Sequence, residues 1–204
     1  MSHLLCRLGT LLLLSLQSIL AEEVPWMKAI PAKTPLSLLT IPGTHNSGAL
    51  HEPLQGTAKC QSLNIEEQLF AGVRFLDIRC RHQRNKFHIY HVPIDQKLSF
   101  TECLKSIENY LANHPSETVI VSIKEEHRAA KTTRSFLQTF ERYLKPEHWW
   151  LFENISLLSE ARGKIILLRR FTSRKTLGIP ATNWQCKERH ETAPRHRYSG
   201  FYDR

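Results

Sequence analysis

Two histidines, an arginine and an aspartate stand at the ends of short apolar runs, and together they could carry out phosphoryl chemistry. His45 follows residues 36–41 (LSLLTI), and Asp77 and Arg79 end residues 73–78 (VRFLDI). His91 ends residues 87–92 (FHIYHV), Lys124 and Glu126 follow residues 118–123 (TVIVSI), and Arg169 and Arg170 follow residues 164–168 (KIILL). One imidazole can take a proton from an attacking hydroxyl while the other gives one to a leaving oxygen. A guanidinium is a permanent cation whose fork matches two phosphate oxygens. A metal ion could supply that electrostatic part, but it would want several carboxylates, and Arg79 beside Asp77 repels a cation. The pattern favours a site without metal or cofactor.

The apolar runs themselves must position these groups. Residues 118–123 are almost wholly apolar and β-branched, as in a strand buried on both faces of a parallel sheet. Asn64 with Glu67, and Ser99 with Glu102, are capping boxes that open helices. In the second helix Cys103, Leu104, Ile107 and Leu111 share one face, and Pro115 closes it. A further helix is read over residues 135–144. The alternation of strand and helix predicts an α/β parallel architecture with five strands legible. All five strands would then end on one side, where barrels carry their active sites.

The formal net charge of +9 suits anionic partners: phosphoinositides, acidic membranes, sulfated glycans or nucleic acid. No nucleic-acid-binding motif is present, so that partner is the weakest of these. Residues 1–21 read as a signal peptide, with Arg7 before an apolar stretch over residues 8–20, which predicts a secreted protein. The alternative is an uncleaved anchor. In an oxidising compartment Cys60, Cys80, Cys103 and Cys186 are expected to form disulfides, with three pairings open. Asn154-Ile155-Ser156 is a glycosylation sequon. His88, His114 and His148 read as surface or loop residues, and residues 149–152 (WWLF) as core packing rather than a membrane contact. Residues 176–204 read as an irregular basic tail after a domain over residues 22–175.

Four segments resemble one family in the right order. Residues 41–48 (IPGTHNSG) resemble the IPGTHDSG signature of phosphatidylinositol-specific phospholipase C X domains, and residues 72–79 (GVRFLDIR) its second motif. Residues 114–120 (HPSETVI) resemble its NPSET segment, and residues 161–170 (ARGKIILLRR) its fifth-strand motif. The resemblance runs from about Trp26 to about Phe171 and points to the bacterial, metal-independent branch. It implies a distorted TIM-type barrel that cleaves phosphatidylinositol at the glycerol–phosphate bond, giving diacylglycerol and inositol 1,2-cyclic phosphate. By similarity His45 is the general base, His91 the general acid, Arg79 the charge stabiliser and Asp77 an orienting group. Lys124, Glu126 and Arg170 match positions lining the inositol pocket. The resemblance also implies transient contact with a membrane surface, and GPI-type lipids share the same phosphodiester.

The chain departs from the pattern twice. Asn46 stands where bacterial members carry an Asp that pairs with the imidazole matching His91. An amide can orient a ring but cannot stabilise an imidazolium by charge. Without its leader the chain has roughly 180 residues, against about 250 for a full barrel. No candidate matches the late-strand carboxylate that partners the His45 position. The barrel is therefore expected to be partial. Two other readings follow from these departures: a catalytically impaired binder of phosphoinositides or anionic surfaces, and a non-functional truncated product.

Overall fold

The β-branched run that the sequence marks as most buried lies in the middle of the sheet. The computed structural model describes residues 25–182. Its strands are β1 (Gly43–Thr44), β2 (Phe75–Gln83), β3 (Lys86–His91), β4 (Ile94–Ser99), β5 (Val119–Ala130), β6 (Trp149–Trp150), β7 (Ile165–Arg170) and β8 (Ile179–Pro180). Its helices are α1 (Ile65–Phe70), α2 (Phe100–Asn113), α3 (Phe136–Phe140) and α4 (Leu158–Ala161), with short 3-10 turns between. β1, β2, β5 and β7 pair in parallel, and β6 and β8 both pair with β7. Among the described residues the sheet is open, so the fold is a partial TIM-type α/β barrel, as the sequence predicts.

Side chains alternate across each strand and sort into two apolar clusters. Leu76, Ile78 and Cys80 of β2, Val121 and Ile123 of β5 and Leu167 of β7 pack against Leu69, Cys103, Ile107, Leu111 and Phe140 from the helices. On the other side Ile166 and Trp150 meet Met27, Leu36, Leu158 and Ala161. Both tryptophans of residues 149–152 are buried, while Phe152 is exposed. The two expected capping boxes are present at Asn64/Glu67 and Ser99/Glu102. A third, Ser135/Gln138, opens α3.

The structure corrects four local readings. Residues 36–41 do not form a strand: Pro35 leads a 3-10 turn over Leu36–Leu38, and only Leu36 of that turn is buried. A short apolar run cannot be assigned by period alone. Residues 135–144 form only one and a half turns of helix before the chain turns, although Phe136 and Phe140 do face the core. β2 does not stop at Ile78, because Cys80 and His82 continue the buried alternation. It turns at Arg84-Asn85, both at positive φ (50° and 59°), and β3 returns antiparallel, followed by the unforeseen β4. His91 therefore does not end a parallel strand. It comes back to the rim on the return arm of a hairpin, which fits the two-residue turn with two left-handed residues. Finally, residues 176–182 are not tail: Leu177 is buried, its carbonyl accepts from Arg169 Nε at 2.9 Å, and β8 pairs with β7. The remaining tail and the leader lie outside the described residues.

The expected disulfides are absent among the described residues. Cys60, Cys80 and Cys103 all carry free thiols, and Cys186 lies outside the described range. Burial pushes the Cys103 thiol up to about 12 and raises that of Cys80, so both behave as small core residues.

One buried ion pair ties the helical layer to the strands that feed the rim. Arg74, fully buried just before β2, donates from Nε to Glu117 Oε2 at 2.9 Å. It also donates to the Leu69 and Val73 carbonyls and to the Tyr110 hydroxyl. Removing one partner leaves a charge stranded in an apolar interior, which costs about 3–5 kcal/mol. Arg74→Met and Glu117→Leu should each lower stability to urea by that amount. Unchanged unfolding midpoints would contradict this role.

Candidate active site

The cationic row begins in sheet register. Arg79 on β2 pairs with Lys124 on β5, and Lys124 pairs with Arg170 on β7, so three cations stand side by side on three strands. Like charges opposite one another are destabilising. Two carboxylates offset this. Asp77 lies two residues before Arg79 and so shares its face of β2. Its Oδ2 accepts from Arg79 Nε at 3.0 Å and its Oδ1 from Arg170 Nη1 at 3.2 Å. Glu126 accepts from Lys124 Nζ at 2.7 Å and from Arg79 Nη1 at 3.3 Å. Three cations against two carboxylates leave one net positive charge, suited to a phosphodiester.

The turn after β1 carries His45 to this row. Thr44 Oγ1 donates to Gln68 Oε1 at 2.7 Å, and Gln68 Nε2 donates to the Ser47 carbonyl at 2.8 Å. Ser47 Oγ accepts from the Asp77 amide at 2.7 Å, while the Asn46 amide donates to Asp77 Oδ2 at 3.2 Å. The turn is thus bolted to the same aspartate that holds the guanidinium groups. His45 Nδ1 lies 3.5 Å from Asp77 Oδ2, and Arg79 Nη2 lies 3.5 Å from the ring. Asn46 Nδ2 can only donate, so His45 Nε2 accepts from it at 3.0 Å and the proton sits on Nδ1, facing Asp77. The His45 side chain is 70% exposed, which leaves its ring free to turn toward a substrate.

The structure therefore brings His45, Asp77, Arg79 and Arg170 around one open cavity of about 300 Å³, with Gly43, Thr44 and Phe75 completing its wall. Lys124 and Glu126 stand beside it without lining it. His91 is on the neighbouring hairpin, linked to the row through Glu126, which accepts from the Val92 amide at 3.4 Å. The structure corrects the placement of Asn46. Its side chain does not pair with His91 but faces His45 and, at 3.6 Å, Cys60 Sγ. The cause is local: Asn46 is left-handed at φ 47° and buried, and its own amide is drawn to Asp77. His91 Nδ1 donates instead to the Ala58 carbonyl at 2.9 Å, with Cys60 Sγ at 3.8 Å. Gln68 and Ala58 are not among the residues the sequence marks, and Cys60 is marked there only as a disulfide candidate. Gln68 carries one signal, a polar residue on the apolar side of α1; a backbone carbonyl carries none. Among the described residues no cluster of three or more His, Cys, Asp or Glu could hold a metal ion, and no helix is long and apolar enough to cross a membrane.

The order of strands and motifs has counterparts in known proteins. The profile of the phosphatidylinositol-specific phospholipase C X domain matches residues 32–171. The chain belongs to this family. It is 32% identical over 164 residues to a 1-phosphatidylinositol phosphodiesterase of Listeria monocytogenes, across 76% of this chain and 51% of that protein. It is 31% identical over 156 residues to the enzyme of the same name from Staphylococcus aureus, across 71% of this chain and 50% of that protein. The solved structure of a mutant phosphatidylinositol-specific phospholipase C from S. aureus superposes with a TM-score of 0.70 at 27% identity, covering 78% of this chain and 56% of that one. The phospholipase C from L. monocytogenes superposes at 0.64 and 29% identity, covering 78% and 64%. The chain spans about half the length of the curated relatives it matches.

The Glu126 contacts set a pH dependence for this X-domain rim. Burial pushes its carboxyl up, but the Lys124 ammonium and the Arg79 guanidinium outweigh burial, and the net position is below 4.5. A carboxyl held lower in the folded state adds stability that is full above its unfolded value and is lost as pH falls through its folded one. Glu126→Gln should therefore cost about 1.5–3 kcal/mol at neutral pH. The gap to the unsubstituted protein should close as pH drops below 4.5. A pH-independent gap in urea unfolding would show that the charge of Glu126 is not what holds the row.

Proposed function

We propose that this chain acts on phosphatidylinositol, cleaving the glycerol–phosphate bond to release diacylglycerol and inositol 1,2-cyclic phosphate. The observation that carries the reading is the Asp77 cluster, in which one carboxylate orders Arg79, Arg170 and the His45 turn around a cavity open to solvent. His45, once its ring leaves the Asn46 amide, takes the proton of the inositol 2-hydroxyl, which attacks phosphorus. Arg79 stabilises the charge that develops on the phosphoryl oxygens. His91 gives a proton to the departing glycerol oxygen. Asp77 orients His45 and offsets its charge, and Arg170, Lys124 and Glu126 receive the inositol ring. Both oxygens of Asp77 are committed to guanidinium groups, which supports electrostatic stabilisation by arginine rather than by a metal ion. GPI-type lipids carry the same phosphodiester and fall within the substrate class. The net charge of +9 supports brief contact with an anionic membrane surface, and the leader supports secretion.

A second reading has its own support. The Asn46 side-chain amide occupies His45 Nε2, the nitrogen assigned the role of base. This fits a protein that binds the headgroup without turning it over.

Phosphatidylinositol vesicles incubated with the purified chain in EDTA separate the two. Release of inositol 1,2-cyclic phosphate is expected, and His45→Ala should reduce it by about 10²–10⁴ while vesicle binding persists. Binding without release from a folded chain would establish the second reading. Release that survives His45→Ala would remove the assigned base.

A further inference from the structure

Among the described residues His91 has no side-chain carboxylate as a hydrogen-bond partner, yet its ring is held. Its Nδ1 lies 2.9 Å from the carbonyl of Ala58. A carbonyl can only accept, so Nδ1 carries a proton and Nε2 is the nitrogen left for substrate. The same peptide group points its N–H the other way, since a trans peptide sets C=O and N–H in opposite directions. That N–H, from Lys59, donates to Glu52 Oε2 at 3.2 Å. The other carboxylate oxygen of Glu52 accepts from the Thr57 amide at 2.9 Å and the Ala58 amide at 3.1 Å, while the Thr57 hydroxyl donates to the Leu54 carbonyl at 2.5 Å. Three backbone amides converge on one surface carboxylate, and the peptide between Glu52 and His91 has both of its ends engaged.

The loop is tied down at its far end as well. The Ala49 carbonyl accepts from both the Cys60 and the Gln61 amides, at 2.9 and 3.1 Å, so the loop closes on itself. Gln61 Nε2 donates to the His45 carbonyl at 2.6 Å, and the His51 amide donates to Gln96 Oε1 at 2.8 Å. One loop thus touches the backbone of one imidazole and the ring of the other. Within it Glu52 is the charged group aligned with the Ala58–Lys59 peptide.

We propose that Glu52 is a positioning residue for His91, acting through the Ala58–Lys59 peptide as a carboxylate–peptide–imidazole relay. The negative charge of Glu52 polarises the peptide toward its carbonyl, which makes Ala58 a stronger acceptor for His91 Nδ1–H. The relay fixes the ring tautomer and its plane. Asn46 cannot supply this, because its amide is turned to His45 and Cys60. The catalytic consequence rests on the reading of His91 as the proton donor in phosphatidylinositol cleavage; the structural relay does not.

Histidine ring 15N spectra of the wild type, Glu52→Gln and Glu52→Ala, with vesicle kinetics on the same samples, test it. Wild-type His91 should show a single Nδ1–H tautomer. Glu52→Ala should give a mixed tautomer and lower kcat by about 10–100-fold, the range for outer partners that orient a metal-bound imidazole, with KM unchanged. Glu52→Gln, which keeps an acceptor but loses the charge, should fall between. An Nε2–H tautomer in the wild type would overturn the relay, and this reading needs no variant. So would a tautomer and kcat unaffected in folded Glu52→Ala. If Glu52→Ala does not fold, the wild-type and Glu52→Gln spectra decide. If the wild type cleaves nothing, the cleavage reading falls while the tautomers still judge the relay.

Discussion

Three cations in one register row are the constraint around which this half-barrel is arranged. Arg79, Lys124 and Arg170 are fixed as neighbours by parallel pairing, so the strands cannot separate their charges. Asp77 and Glu126 must sit on the same face to hold them, and they do so by the two-residue period of β2 and β5. Asp77 also fastens the turn that carries His45. The strained left-handed Asn46 and the buried Gln68 follow from fixing that turn against β2 rather than from packing. What results is a shallow basin whose charged groups are paired with one another and which keeps a small positive excess.

The parts of the fold that the sequence makes legible are those set by strong periodicity or by local caps. β5, β7, α2 and the two capping boxes follow from β-branched runs and from side chains that satisfy their own helix ends. The illegible parts are set by tertiary pairing. Residues 36–41 have the composition of a strand, but Pro35 and the packing of Leu36 beside Trp150 and Ile166 make them a turn. β3 is legible as residues 87–92, but its antiparallel pairing and β4 escape because β2 reads as ending at its first charges, whereas Asp77, Arg79 and Arg81 simply occupy its other face. β8 is two residues long and exists through β7 alone.

The same division holds at the site. Asp77, Arg79, Lys124, Glu126 and Arg170 were visible because each interrupts an apolar strand. The structure gathers all five and adds His45. His91 was visible too, but the route that brings it to the rim was not, because a hairpin reverses the direction that parallel alternation implies. Motif position points the Asn46 side chain at His91, whereas its left-handed backbone turns it to His45. The Ala58 carbonyl and the loop behind it had no signal in sequence, since any residue type offers a carbonyl.

Asp77→Asn tests the central claim most directly, because it keeps size and removes the charge that collects the row. The measurement is the side-chain Nε–H resonance of Arg79 and the Nη–H resonances of Arg170 in 1H–15N spectra, with vesicle cleavage recorded on the same sample. The account predicts that these resonances lose their distinct shifts and slow exchange in a chain that remains folded, and that cleavage falls with them. Distinct, slowly exchanging arginine signals and unchanged cleavage in Asp77→Asn would contradict it, and would mean that the sheet alone aligns the cations.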